Sequence, residues 1–113
     1  MGNADTIQTI ESRNNVPIRL TYRQWAHIME SHDYMSGCLD VVIETISEPD
    51  YIVRGWTDEL IALRGYERTI ISKKTVVVVY KELDQDGFVI TAFMTSRPDQ
   101  ILRRGVIWQK QIF

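Results

Sequence analysis

The sequence predicts an α+β fold in which two N-terminal helices pack on an antiparallel four- to five-stranded β-sheet. Three observations predict it. Apolar residues recur twice at helical spacing between residues 22 and 47, and then change to a period of two from residue 51 onward. Two turn-forming clusters, Gly55-Trp56-Thr57-Asp58 and Asp84-Gln85-Asp86-Gly87, separate the strand-like runs. Helices first and strands after is the order of an α+β domain, and 113 residues hold one hydrophobic core.

Residues 1–15 are polar and are expected to form a flexible N-terminal segment, with a single domain over residues 16–113. Val16–Leu20 reads as a short strand, with Pro17 acceptable at an edge or at a strand's start. Thr21 is an N-cap for the helix YRQWAHIMES, whose Tyr22, Trp25, Ala26 and Met29 form the expected core stripe. After HDYMSG a second helix, Leu39–Ser47, turns Leu39, Val42, Ile43 and Ile46 to one side and stops before Pro49. Tyr51–Arg54 and Glu59–Arg64 form a hairpin around the Gly55–Asp58 turn. Thr75–Glu82 (TVVVVYKE) is apolar on both faces at first, as a central strand is. Gly87 offers positive φ in the next turn. Gly87–Thr95 then returns antiparallel, with Phe88, Ile90, Ala92 and Met94 as its core face and Thr91, Phe93 and Thr95 on a partly open one. Arg104–Gln109 is expected either to add a last short strand or to finish irregularly.

Composition narrows the class of function. Hydrophobic residues make up 44% and charged residues 25%, which are globular proportions. A single cysteine, Cys38, permits neither an intrachain disulfide nor a thiolate zinc cluster and reads as a small buried hydrophobe. No signal peptide or membrane-spanning run is present in these residues, so a cytoplasmic location without membrane contact is expected. The net charge of −2 is unevenly spread. Residues 1–59 carry four Lys/Arg against ten Asp/Glu, whereas residues 60–113 carry nine against five. Arg97, Arg103, Arg104 and Lys110 gather near the end, so the later strands can present a local positive face.

Candidate chemical groups are few. His27 and His32 are the only histidines; five residues apart on a helix they diverge by roughly 140° and do not make a metal pair. On a helical wheel His27 projects opposite the core stripe, while His32 falls at the helix end, the better position over a sheet. Either imidazole suits proton transfer near neutral pH. Arg64 ends an apolar strand, Lys81 ends the central one, and Thr91 and Thr95 share a face with Phe93. Phosphate loops, nucleophile elbows and dinucleotide fingerprints are absent, so no metal and no organic cofactor is expected.

Four segments, LTYRQWAHIMESHDYM, ELIALR, VVVVYKE and GFVITAFMTSRP, followed by RRGVIW, together resemble a small bacterial family frequent in cyanobacteria. That family resembles one branch of the barnase–EndoU–colicin–RelE-like nucleases, metal-independent RNA-cleaving domains. Where the family shows His-Pro-Glu, this chain has His32-Asp33-Tyr34. The resemblance implies a RelE/barnase-like sheet and an endoribonuclease that cleaves RNA by 2′-hydroxyl transesterification. It implies a catalytic set of His27, His32, Arg64, Lys81, Thr91 and Thr95, with Tyr80 at the sheet's open face. Arg97, Arg103 and Arg104 are then the RNA-binding cations. A toxin of a toxin–antitoxin pair is one role consistent with this, with an antitoxin masking the basic face. The alternative is a non-catalytic nuclease-like binding or regulatory module, or a homodimer, in which the histidines only pack or cap. The two readings differ in geometry: cleavage needs a histidine, Arg64 and a strand threonine in one open cleft.

Overall fold

Among the described residues, seven strands form one mixed sheet in the order β1-β2-β6-β5-β4-β3-β7. They are β1 (Thr6–Glu11), β2 (Pro17–Thr21), β3 (Tyr51–Arg54), β4 (Leu60–Tyr66), β5 (Lys74–Glu82), β6 (Gly87–Thr95) and β7 (Val106–Gln109). Helices α1 (Tyr22–Ser31) and α2 (Leu39–Ser47), joined by the 3-10 turn Asp33–Gly37, follow β2, and the short α3 (Pro98–Leu102) follows β6. The computed structural model describes residues 5–69 and 72–111. Among these no helix is long and apolar enough to cross a membrane.

This architecture corrects the expected one. The sheet has seven strands rather than four to five, a third helix is present, and β2 runs parallel to β6 through Ile18↔Gly87 and Arg19↔Phe88. The barnase/RelE-like layout of two helices on a purely antiparallel sheet therefore does not describe this chain. β1 lies inside the segment expected to be flexible, of which residues 1–4 fall outside the described residues. Its register with β2 shifts between Thr6 and Gln8, so Ile7 is an inserted residue and both Ile7 and Ile10 reach the core. Apolar residues three apart do not announce a strand; the bulge conceals the period of two. Asn15, at φ 64°, closes the β1–β2 turn in the left-handed region that asparagine tolerates.

The helices form as read. The Thr21 Oγ1 accepts from the Gln24 amide at 3.0 Å, capping α1. The buried side of α1 is rotated from the expected stripe: Trp25 and Ile28 are buried, whereas Ala26 is exposed and Tyr22 is 61% exposed. Gln24 is drawn to the sheet instead, where its side-chain amide donates to the Ile90 carbonyl on the stretch of β6 that β2 does not cover. The Tyr34 hydroxyl accepts from the Met94 amide farther along that edge, at 3.2 Å. These two side chains satisfy backbone groups that an edge strand would leave open.

Each face of the sheet has its own core. Helices α1 and α2 cover Ile10, Ile18, Leu20, Ala62, Val76, Val78, Tyr80, Val89, Ala92 and Met94, with Met35, Cys38, Val42 and Ile46 beneath them. On the second face Val53, Ile61, Leu63 and Val77 are buried, with Ile101 and Leu102 of α3 packed against them. A bulge in β6 splits its expected core face. Val79 pairs with Thr91 but Tyr80 with Val89, so Ile90 is inserted. Ala92 and Met94 face the helices as expected; beyond the insertion Val89 takes that side and Phe88 becomes exposed.

Gly87 is required for closeness rather than for positive φ, since Gly105 is the only described glycine with that conformation. A Cβ at Gly87 would collide with the Lys81 carbonyl oxygen and lie 2.7 Å from Ile18 Cδ1. The absence of a side chain there lets β2 dock on β6. Gly87→Ala should therefore lower stability by about 1–3 kcal/mol in urea unfolding, while Tyr22→Ala changes it by less than about 0.5 kcal/mol.

Candidate functional site

Alternation along the strands assigns each expected site residue to a face. In β5, Val76, Val78 and Tyr80 point to the helices, and Val77, Val79 and Lys81 point away. Thr91, Phe93 and Thr95 of β6 lie opposite Val79, Val77 and Thr75, on the face away from α1 and α2. Helix α3 buries the β3–β4–β5 part of that face, but Val79, Lys81, Thr91, Phe93 and Thr95 are only half-buried. This strip over β5 and β6 is the open part of the sheet.

His32, which ends α1, reaches its rim. The imidazole lies 5.7 Å, centroid to centroid, from the Phe93 ring and the same distance from the Tyr34 ring. Its Nδ1 lies 3.4 Å from the Tyr34 hydroxyl, the same oxygen that accepts from Met94. The chain break in helicity after Ser31 swings His32 out of the α1 wheel, so its backbone can donate to Ile28 O while its ring crosses the edge of β6. Four of the six expected catalytic residues, His32, Lys81, Thr91 and Thr95, thus meet this one strip. Lys81 Nζ is held 3.3 Å from Asp58 Oδ1, and that ammonium keeps the Asp58 carboxyl below its ordinary range.

The other expected residues are elsewhere. His27 is exposed on α1 with its Nδ1 3.9 Å from Glu30, far around the helix from the sheet. Arg64 lies opposite Val76 and therefore on the helix side. Its Nη1 donates to the Glu48 carbonyl at the end of α2 (2.6 Å), Nε lies 3.5 Å from Glu44, and the guanidinium covers the Tyr66 ring at 5.6 Å. This is a strut between β4 and α2. Tyr80 is fully buried under the helices and cannot touch a substrate. Arg97 is exposed at the start of α3, Arg103 pairs with Asp99 at 3.4 Å, and Arg104 stacks on Trp56 at 4.1 Å. Cys38 is buried, and burial followed by the charge of Asp40 pushes its thiol up. Among the described residues no three His, Cys, Asp or Glu side chains gather as metal ligands.

Phe93 was not in the expected site, whereas Trp56 belongs, with Tyr34 and Trp108, to the aromatic residues expected to stack on unpaired bases. A phenylalanine in an apolar strand reads as core, and only the partial cover by α3 leaves this one available. Comparison with protein-family models, with curated proteins and with solved structures finds no match to this chain. The functional reading therefore rests on the geometry above.

Two outcomes test these placements. Arg64→Ala should cost about 1–3 kcal/mol of stability in denaturant unfolding, through the lost charged hydrogen bond to the α2 carboxyl end. Burial, and then the hydrogen bond to Glu44 (2.5 Å), push the Tyr66 phenol from 10 up to about 12, and burial raises Tyr80 as well. A folded-state pKa raised above the unfolded one gives stability that is complete below pH 10 and lost as pH climbs through about 12. Absorbance titration at 295 nm, compared between the protein and its Tyr66→Phe variant, should show the Tyr66 phenol still protonated at about pH 11 and ionising on alkaline unfolding.

Proposed function

We propose that this chain is a cytoplasmic, metal-independent RNA-cleaving domain that takes single-stranded RNA across the open strip of β5 and β6. The reading is carried by the contact between the His32 and Phe93 rings, which sets an imidazole on the strip next to the row of Thr91 and Thr95; Lys81, opposite Phe88, stands about 13 Å farther along β5. Phe93 offers an unpaired base an aromatic surface. The neutral His32 imidazole takes the proton of a ribose 2′-hydroxyl, and that oxygen attacks the adjacent phosphorus. The 2′,3′-cyclic phosphate forms as the bond to the 5′-oxygen breaks, and that oxygen leaves with a proton from water. The threonine hydroxyls donate to the phosphoryl oxygens as their charge grows, and Lys81, farther along the strip, receives a neighbouring phosphate of the same strand.

One observation favours a second reading, binding without cleavage. Arg64 faces the helices, so the strip lacks the guanidinium that the cleavage set was expected to include, and its lysine is already paired with Asp58. Incubation of a mixed RNA pool in EDTA separates the two. Cleavage that persists in chelator, falls at least about 100-fold in His32→Ala and is unchanged in His27→Ala is the expected result. RNA that is retarded in a gel but stays intact would assign the binding module. RNA that is neither bound nor cut, with no growth arrest on expression, would end both readings.

A further inference from the structure

The β3–β4 turn carries the most exposed large hydrophobic side chain described, Trp56, which is 86% exposed. An indole so placed contributes nothing to the core, yet it is not loose. The Arg104 guanidinium lies 4.1 Å above the ring centre, and Arg104 Nε points to the Arg54 carbonyl oxygen at 3.4 Å. The turn beneath is tight: the Gly55 amide donates to the Glu59 carbonyl at 2.9 Å, and a Cβ on Gly55 would lie 2.9 Å from three Glu59 atoms. Both acids of the turn are engaged, Asp58 with Lys81 and Glu59 Oε1 with the Thr57 amide at 2.9 Å.

We infer that Trp56, held by Arg104, is a second base-stacking platform for single-stranded RNA, with Arg104 receiving the adjoining phosphate. The inference rests on the RNA reading above and extends it. Trp56 belongs to the same ligand path because its turn reaches Lys81 through Asp58, and because Arg104 follows α3, the helix on the same face. A nucleic-acid groove built from aromatic platforms and cations binds unpaired bases irrespective of sequence, since every base has a π-face. One face of the indole is covered by the guanidinium and the other is open to a base. Because the arginine already fixes the ring, little rotamer freedom is lost on stacking. A base-paired helix hides its base faces and cannot use such a platform.

The test is fluorescence anisotropy of a labelled 12-nucleotide oligouridylate, with every protein carrying His32→Ala so that the RNA stays intact. Trp56→Ala should weaken binding about tenfold, Trp56→Phe by less than about threefold, and Arg104→Ala by an intermediate amount. Affinity for blunt double-stranded RNA should be unchanged in the two Trp56 variants. Because Trp56 is exposed, circular dichroism should confirm that the variants fold. Equal binding of the oligouridylate by Trp56→Ala would overturn this inference and leave the RNA reading standing. An His32→Ala parent and a wild-type protein that both fail to bind the oligouridylate would overturn the two together.

Discussion

Val76–Val79 at the centre of β5 presents valine to both faces of the sheet, so each face must be covered by something else. Pairing β5 with β4 on one side and β6 on the other satisfies its backbone, and the covering of the two faces then follows. The connection that carries α1, the 3-10 turn and α2 blankets one side from Ile10 to Met94. Only a five-residue helix is left for the other, and it reaches β3, β4 and half of β5. The unfinished cover of the second face is what creates an exposed strip, and every functional proposal above depends on it.

That asymmetry also sorts the polar residues. Side chains on the helix face are committed to structure. Arg64 ties a strand to the carboxyl end of α2, Tyr66 answers Glu44, and Tyr80 fills the core. Their chemistry is that of struts, although arginine and tyrosine are equally common in active sites. On the second face Lys81, Thr91, Phe93 and Thr95 stay half-buried, the lysine held by Asp58 and the Phe93 ring set against the margin of the smaller core. His32 joins them because α1 ends one residue earlier, which frees its ring to cross the edge of β6.

Strand alternation was a sound guide wherever the strand was regular and misled wherever it was interrupted. β3, β4 and β5 stand close to where the period of two put them, because their registers run without a shift against each other. β1 was unreadable because the inserted Ile7 moves two isoleucines to one face with a spacing of three. The inserted Ile90 similarly turns Phe88 outward while Ala92 and Met94 stay inward. A bulge arises from the fit of one strand to its neighbour, and neither strand's own residues report it.

Local sequence was enough for features that are satisfied locally. The Thr21 cap, the stop of α2 before Pro49, the tight Gly55–Asp58 turn and the two-faced valine run all follow from a few adjacent residues and the backbone geometry they permit. The candidate site was legible only in part: His32, Lys81, Thr91 and Thr95 were named by residue type and strand parity. Parity put Thr91, Phe93 and Thr95 on one face; that His32 and Lys81 are on their side of the sheet and Arg64 is not, and that Phe93 meets the His32 ring, was not readable. These depend on which side the helices cover and on the parallel docking of β2 against β6 over Gly87. Both are long-range packing choices, set by contacts between segments some seventy residues apart, and no local pattern encodes them.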